Sequence, residues 1–126
     1  MFKAIDHVEI ITRNMAESVK FYTEILGFKH KSGHKMDGSR GITEIVFLTL
    51  GDTSLELLEF PDAAPIPAQP HIGYRMMAIT VDDMPAAIKH LKKHGVKITR
   101  EPVSLGESMR GEFMDNNGVT IEIRKW

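Results

Sequence analysis

Apolar and polar residues alternate along several short stretches of the chain, and two of them echo each other: Thr53-Ser54-Leu55-Glu56-Leu57-Leu58-Glu59-Phe60 and Val119-Thr120-Ile121-Glu122-Ile123-Arg124-Lys125-Trp126. Each sets a carboxylate between two branched apolar residues and ends on an aromatic. Successive side chains of a β-strand point to opposite faces. Leu55 and Leu57, like Ile121 and Ile123, therefore share one face while Glu56 and Glu122 point the other way. A charge so placed faces either water or a site.

The same order of elements is read upstream of each copy. Residues 4–12 alternate as a strand, with Val8 and Ile10 on one face and Ile5, His7, Glu9 and Ile11 on the other. Asn14 is an N-cap with Glu17 three residues on, and Met15, Val19, Tyr22 and Leu26 follow at helical spacing before Gly27. A helix is predicted over 15–26, then strands over 28–35, 42–50 and 54–60. The order restarts with a strand over 76–81 and a helix capped by Asp83, with Pro85 in its first turn, Met84, Ala87, Ile88 and Leu91 on its buried stripe and Gly95 at its end. Strands over 96–100, 111–115 and 119–124 complete it, with Asn117-Gly118 as a hairpin signal.

Residues 61–70, with four prolines and three alanines, suit neither a central strand nor a helix and read as a linker. The prediction is an α+β fold in which one domain, residues 1–126, is built from module one (about 1–60), the linker and module two (about 71–126). Exact matches between the modules are few, mainly Ile10/Ile79, Met15/Met84 and Lys20/Lys89, so the repeat rests on the order of elements. A sheet with one helix leaves its other face uncovered, and pairing two modules lets those faces curve around a shared cleft. By parity, His7, Glu9, Glu56, Met76, Glu122 and Arg124 are the candidates to line it.

Composition narrows the chemistry. The 126 residues, 42% hydrophobic and 26% charged with a net charge of -1, are those of an ordinary globular protein and offer no field suited to nucleic acid or an anionic membrane. Without cysteine there is no disulfide framework, thiolate metal site or thiol nucleophile, and any metal binds through nitrogen and oxygen. No run has the length of a signal-peptide core or approaches the ~20 apolar residues of a spanning helix, so a cytoplasmic location is the default expectation.

The segments Asp6-His7-Val8, Phe21-Tyr22-Thr23-Glu24-Ile25-Leu26-Gly27-Phe28, Leu48-Thr49-Leu50-Gly51-Asp52, Leu55-Glu56-Leu57, Val81-Asp82-Asp83 and Asn117-Gly118-Val119-Thr120-Ile121-Glu122-Ile123 resemble, in order and across nearly the whole chain, the vicinal oxygen chelate superfamily. That group includes glyoxalase I, methylmalonyl-CoA epimerase, extradiol dioxygenases and the fosfomycin and bleomycin resistance proteins. The resemblance implies two paired βαβββ modules forming an open barrel-like cleft around a divalent metal. It places His7, Glu56 and Glu122 on metal-ligand positions, and Met76 where a fourth ligand, commonly histidine, is expected. Met76, Glu9 and Arg124 are then substrate-binding candidates, and Glu122, with Glu56 as ligand or second base, the catalytic one. His71, in a proline-bounded segment at an odd offset from Met76, is a poor substitute ligand.

Taken alone, His7 reads as an inert strand histidine, but Glu56 and Glu122 at repeat-related positions tip the balance toward a polar or metal site. One imidazole and two carboxylates can hold Zn²⁺, Ni²⁺, Co²⁺, Mn²⁺ or Fe²⁺ with open positions, whereas a thioether is a poor ligand for hard ions and suits an adaptable apolar wall. The activity implied is a metal-dependent lyase or isomerase of the glyoxalase type, acting on a small substrate with vicinal oxygens through an enediolate. The competing expectation is a binding protein of the bleomycin-resistance type, with or without metal; an extradiol dioxygenase ranks below both because Met76 removes a second histidine. A homodimer is the assembly that the resemblance implies.

Overall fold

In the computed structural model, which describes residues 1–126, the period-two stretches fold as strands on either side of a break in the proline-rich segment, giving units Met1–Ala64 and Pro65–Trp126. In the first, β1 (Val8–Thr12), α1 (Met15–Lys20) with a π-helical turn (Phe21–Ile25), β2 (Lys29–Lys35), β3 (Glu44–Leu50) and β4 (Thr53–Glu59) make a four-stranded sheet of order β1-β4-β3-β2. In the second, β5 (Ala78–Thr80), α2 (Met84–Lys93), β6 (Ile98–Leu105), β7 (Ser108–Met114) and β8 (Thr120–Lys125) repeat the plan as β5-β8-β7-β6. Each sheet pairs its first and last strands in parallel and the rest antiparallel. The fold is α+β, two βαβββ modules.

Both helices begin as the sequence dictates. Asn14 Oδ1 accepts the Glu17 N–H at 3.1 Å and Asp83 Oδ1 the Ala86 N–H at 2.9 Å, each satisfying an otherwise orphaned first-turn donor. Glu59, at the end of β4, adds a second acceptor for α1 by taking the Met15 N–H at 2.6 Å. The alternating aliphatics form the module cores: Leu48, Leu55 and Leu57 with Met15 and Tyr22 in one, and Phe113, Ile121 and Ile123 with Met84 and Leu91 in the other, all buried. Burying one such side chain stabilises by roughly 1.5–3 kcal/mol.

Several elements depart from expectation, among them β5, expected over 76–81 and confined to Ala78–Thr80. The helix expected over 15–26 changes hand-hold after Lys20: Leu26 N–H bonds Phe21 C=O, five residues back, at 3.3 Å. Consecutive Phe21 and Tyr22 are both buried, which a narrow amphipathic stripe does not accommodate, and the wider turn supplies the extra phase. The strand expected over 4–12 starts only at Val8, where pairing with β4 begins at Leu55. The hairpin of β6 and β7 is longer than its patterning suggests: Pro102, which cannot donate to a ladder, sits in a register shift between Arg100 and Val103.

Candidate functional site

The strand register assembles the first module's polar cluster. Parallel pairing sets Glu9 of β1 beside Glu56 of β4, and His7, two residues before Glu9, shares their face. His7 Nε2 lies 3.1 Å from Glu56 Oε2 and 3.6 Å from Glu9 Oε1, while its Nδ1 donates to Asp6 Oδ2 at 2.8 Å. Phe47, the antiparallel partner of Glu56 on β3, presents its ring edge-on to the imidazole at 5.8 Å. The three donors, one atom from each residue, all lie within 4.8 Å of one another.

The electrostatics of this cluster call for a cation. Glu56 is only 9% exposed, and burial, followed by the nearby Glu9 charge, raises its pKa above the ordinary glutamate value. The hydrogen bond to Asp6, reinforced by Glu9 and Glu56, raises that of His7 against the opposing effect of desolvation. With Nδ1 held by Asp6, Nε2 points at two carboxylate oxygens, and the raised pKa of His7 favours the protonated ring, whose Nε2–H then lies between them. A proton on Nε2, or a metal ion in its place, offsets the charge of the two carboxylates. A carboxylate that fixes the tautomer of a histidine and leaves the other nitrogen free is also the usual outer partner of a metal-bound imidazole. The donor set thus fits a divalent cation of the borderline class.

The second module holds a different cluster at the equivalent place. Ala78 pairs with Glu122 as Glu9 pairs with Glu56, so Met76 occupies the position of His7, as the repeat predicts. Glu112 of β7 stands opposite Glu122, where the first module has Phe47. Glu122 Oε1 accepts from Arg124 Nε and Nη2 at 2.7 and 2.6 Å, and its Oε2 lies 3.2 Å from Arg110 Nη2. Arg110 Nη2 also donates to Glu112 Oε1 at 2.5 Å. Both oxygens of Glu122 are engaged by guanidinium groups of its own module, and Arg124 lies over the Trp126 ring at 5.0 Å.

The structure therefore brings His7, Glu9 and Glu56 together in one module, and Glu122 and Arg124 in the other with Met76 at the edge of a pocket near Glu112. Three participants escaped the sequence reading. Asp6 was legible only as part of a motif, and Arg110 and Glu112 belong to a strand whose Arg110-Gly111-Glu112 alternation already set both charges on one face.

A family model described as Glyoxalase/Bleomycin resistance protein/Dioxygenase superfamily matches residues 4–123. The chain belongs to that superfamily. It is 32% identical over 123 residues to the uncharacterized protein YaeR of Escherichia coli K12, covering 96% of this chain and 95% of that one. It is 27% identical over 130 aligned positions to human mitochondrial methylmalonyl-CoA epimerase, covering 96% of this chain and 73% of the enzyme. Among solved structures, the trypanothione-dependent glyoxalase I of Leishmania major superposes with a TM-score of 0.78 at 27% identity, over 97% of this chain and 86% of that one. No helix is long and apolar enough to cross a membrane.

Proposed function

We propose that this superfamily member is a divalent-metal-dependent lyase or isomerase that moves a carbon-bound proton on a small substrate with vicinal oxygens. The observation that carries the reading is the His7 Nε2 aimed at Glu56 and Glu9, with its Nδ1 anchored on Asp6. His7, Glu56 and Glu9 would hold the cation. When bound, the cation acts as a Lewis acid that polarises substrate oxygens. The similarity to a glyoxalase I and to a methylmalonyl-CoA epimerase supports the reaction class.

The chain's own groups have separable tasks. Asp6 fixes the His7 ring; Phe47 walls the imidazole with an apolar edge. Glu56 is buried and, without a cation, its pKa lies above that of a solvated glutamate, so cation binding there would displace its proton. Glu122, the ligand and base implied by the resemblance, has both oxygens engaged by Arg124 and Arg110. A homodimer, the assembly that the resemblance implies, is tested by sedimentation.

The experiment is to load the purified protein with Co²⁺ or Zn²⁺ and follow exchange of the carbon-bound proton into D₂O, using 2-oxoaldehyde hemithioacetals and 2-methylmalonyl thioesters. Metal-dependent exchange that disappears in Glu56→Gln supports the proposal. A second reading, a small-molecule binding protein, is favoured by the arginine-locked Glu122 and by Met76. Tight retention of these compounds without exchange would select it.

A further inference from the structure

The second module contains a pocket of about 380 Å³ lined by Ile66, Gln69, Arg75, Met76, Glu112 and Val119, with Pro70, Gly118 and Thr120 completing the wall. A space of this size admits a small organic ligand. Its polar groups are the Gln69 amide, the Thr120 hydroxyl and one ion pair that is out of balance. Glu112 is 8% exposed, and its Oε1 is already taken by Arg110 Nη2 at 2.5 Å. Arg75 Nη2 and Arg100 Nε each stand 3.8 Å from that same oxygen, beyond hydrogen-bond reach. With Arg124 tied to Glu122, four guanidinium charges surround two carboxylates, a surplus of two.

The inner arginines are consumed. Arg124 gives Nε and Nη2 to Glu122 and Nη1 to Ser108 Oγ, and Arg110 bridges the two glutamates. The outer pair is not: apart from the distant Glu112 oxygen, Arg75 has a 3.6 Å contact from Nη1 to the Met76 sulfur. Arg75 and Arg100 are 61% and 53% exposed, and each retains donors in the planar fork that matches carboxylate or phosphate. The pocket that Arg75 lines also has apolar walls, with Ile66, Met76 and Val119 offering a surface for a short hydrocarbon chain. The adaptable thioether of Met76 suits such a contact.

We propose that this pocket binds a small organic anion, a carboxylate or phosphate monoester on a short apolar chain, with the head held by Arg75 beside Arg100 and the chain against Ile66, Met76 and Val119. Glu112, paired with Arg110, does not oppose the head with a free charge. The site rests on the second module alone and stands whether or not the first module holds a metal.

The test is calorimetric titration of the intact protein, freed of metal, with hexanoate, hexyl phosphate and hexylamine, which share a chain and differ in head charge. Hexanoate and hexyl phosphate bind, hexylamine does not, and affinity falls as salt rises. Arg75→Gln, at an exposed side chain that the core does not need, weakens both anions about tenfold or more, the loss expected for a charge-assisted pair, while Arg75→Lys weakens them less. Circular dichroism establishes that each variant is folded. Tighter binding of the phosphate than of the carboxylate identifies a phosphate site, and the reverse a carboxylate site; both support the proposal. Absence of binding by both anions, equal binding of hexylamine, or unchanged anion affinity in folded Arg75→Gln overturns it.

Discussion

Removing the Glu59 carboxylate is expected to loosen the frame that sets Glu9 beside Glu56. Glu59 ends β4, and its side chain accepts from the Met15 N–H at 2.6 Å and the Thr43 hydroxyl at 2.5 Å, joining β4 to the start of α1 and to the residue preceding β3. These two bonds hold its pKa below the usual 4.5, the Thr43 bond having the larger effect. Hydrogen bonds to charged groups contribute about 1.5–3 kcal/mol each when well shielded, and partial exposure of Glu59 puts these at the low end. Glu59→Ala should therefore cost about 2–3 kcal/mol at neutral pH, and Glu59→Gln, which keeps an acceptor but loses the charge, about 1 kcal/mol. For a chain of 126 residues the alanine variant should melt about 10 °C lower. Because the folded pKa is depressed, the stabilisation is complete above pH about 4.5 and is lost as pH falls through the lower folded value. Urea denaturation of wild type and Glu59→Gln between pH 7 and 3 should show a gap that closes on acidification. Equal stability at pH 7, or a gap that widens in acid, would refute the capping role.

Gly111→Ala should destabilise by about 1–3 kcal/mol, since an added Cβ would lie 3.0 Å from the Arg100 carbonyl oxygen and 3.3 Å from Ile123 Cγ2; thermal melting checks it. Glu122→Ala should cost about 1–3 kcal/mol in urea because it strands Arg124 and part-buried Arg110, whose Nε is already without a partner.

The repeat was legible because strands and helices obey different periods, and the caps Asn14 and Asp83 mark each helix start in the letters themselves. Parity alone set Glu56 and Glu122 opposite the core aliphatics. It could not show that the two carboxylates meet different neighbours, because Phe47 and Glu112 come from strands whose register is fixed only by folding. The π-turn after Lys20 was hidden for a related reason: Phe21 and Tyr22 read as one buried and one flanking position until both are found inside. Glu9, which parity set on the face of His7 but a lone strand would leave to solvent, gains its place from the parallel partner Glu56.

The most direct test of the central claim is titration of Co²⁺ into chelator-treated wild-type protein and into His7→Ala, Glu9→Gln and Glu56→Gln, by calorimetry and visible absorption at pH 7.5. One ion should bind per chain, with protons released as the imidazole gives up its hydrogen. Affinity should fall at least tenfold, by expectation for removal of a ligand, in each variant, with circular dichroism unchanged. Wild-type protein that takes up no Co²⁺, or a folded His7→Ala that binds it as tightly as wild type, would contradict the assignment of His7, Glu9 and Glu56 as a metal centre.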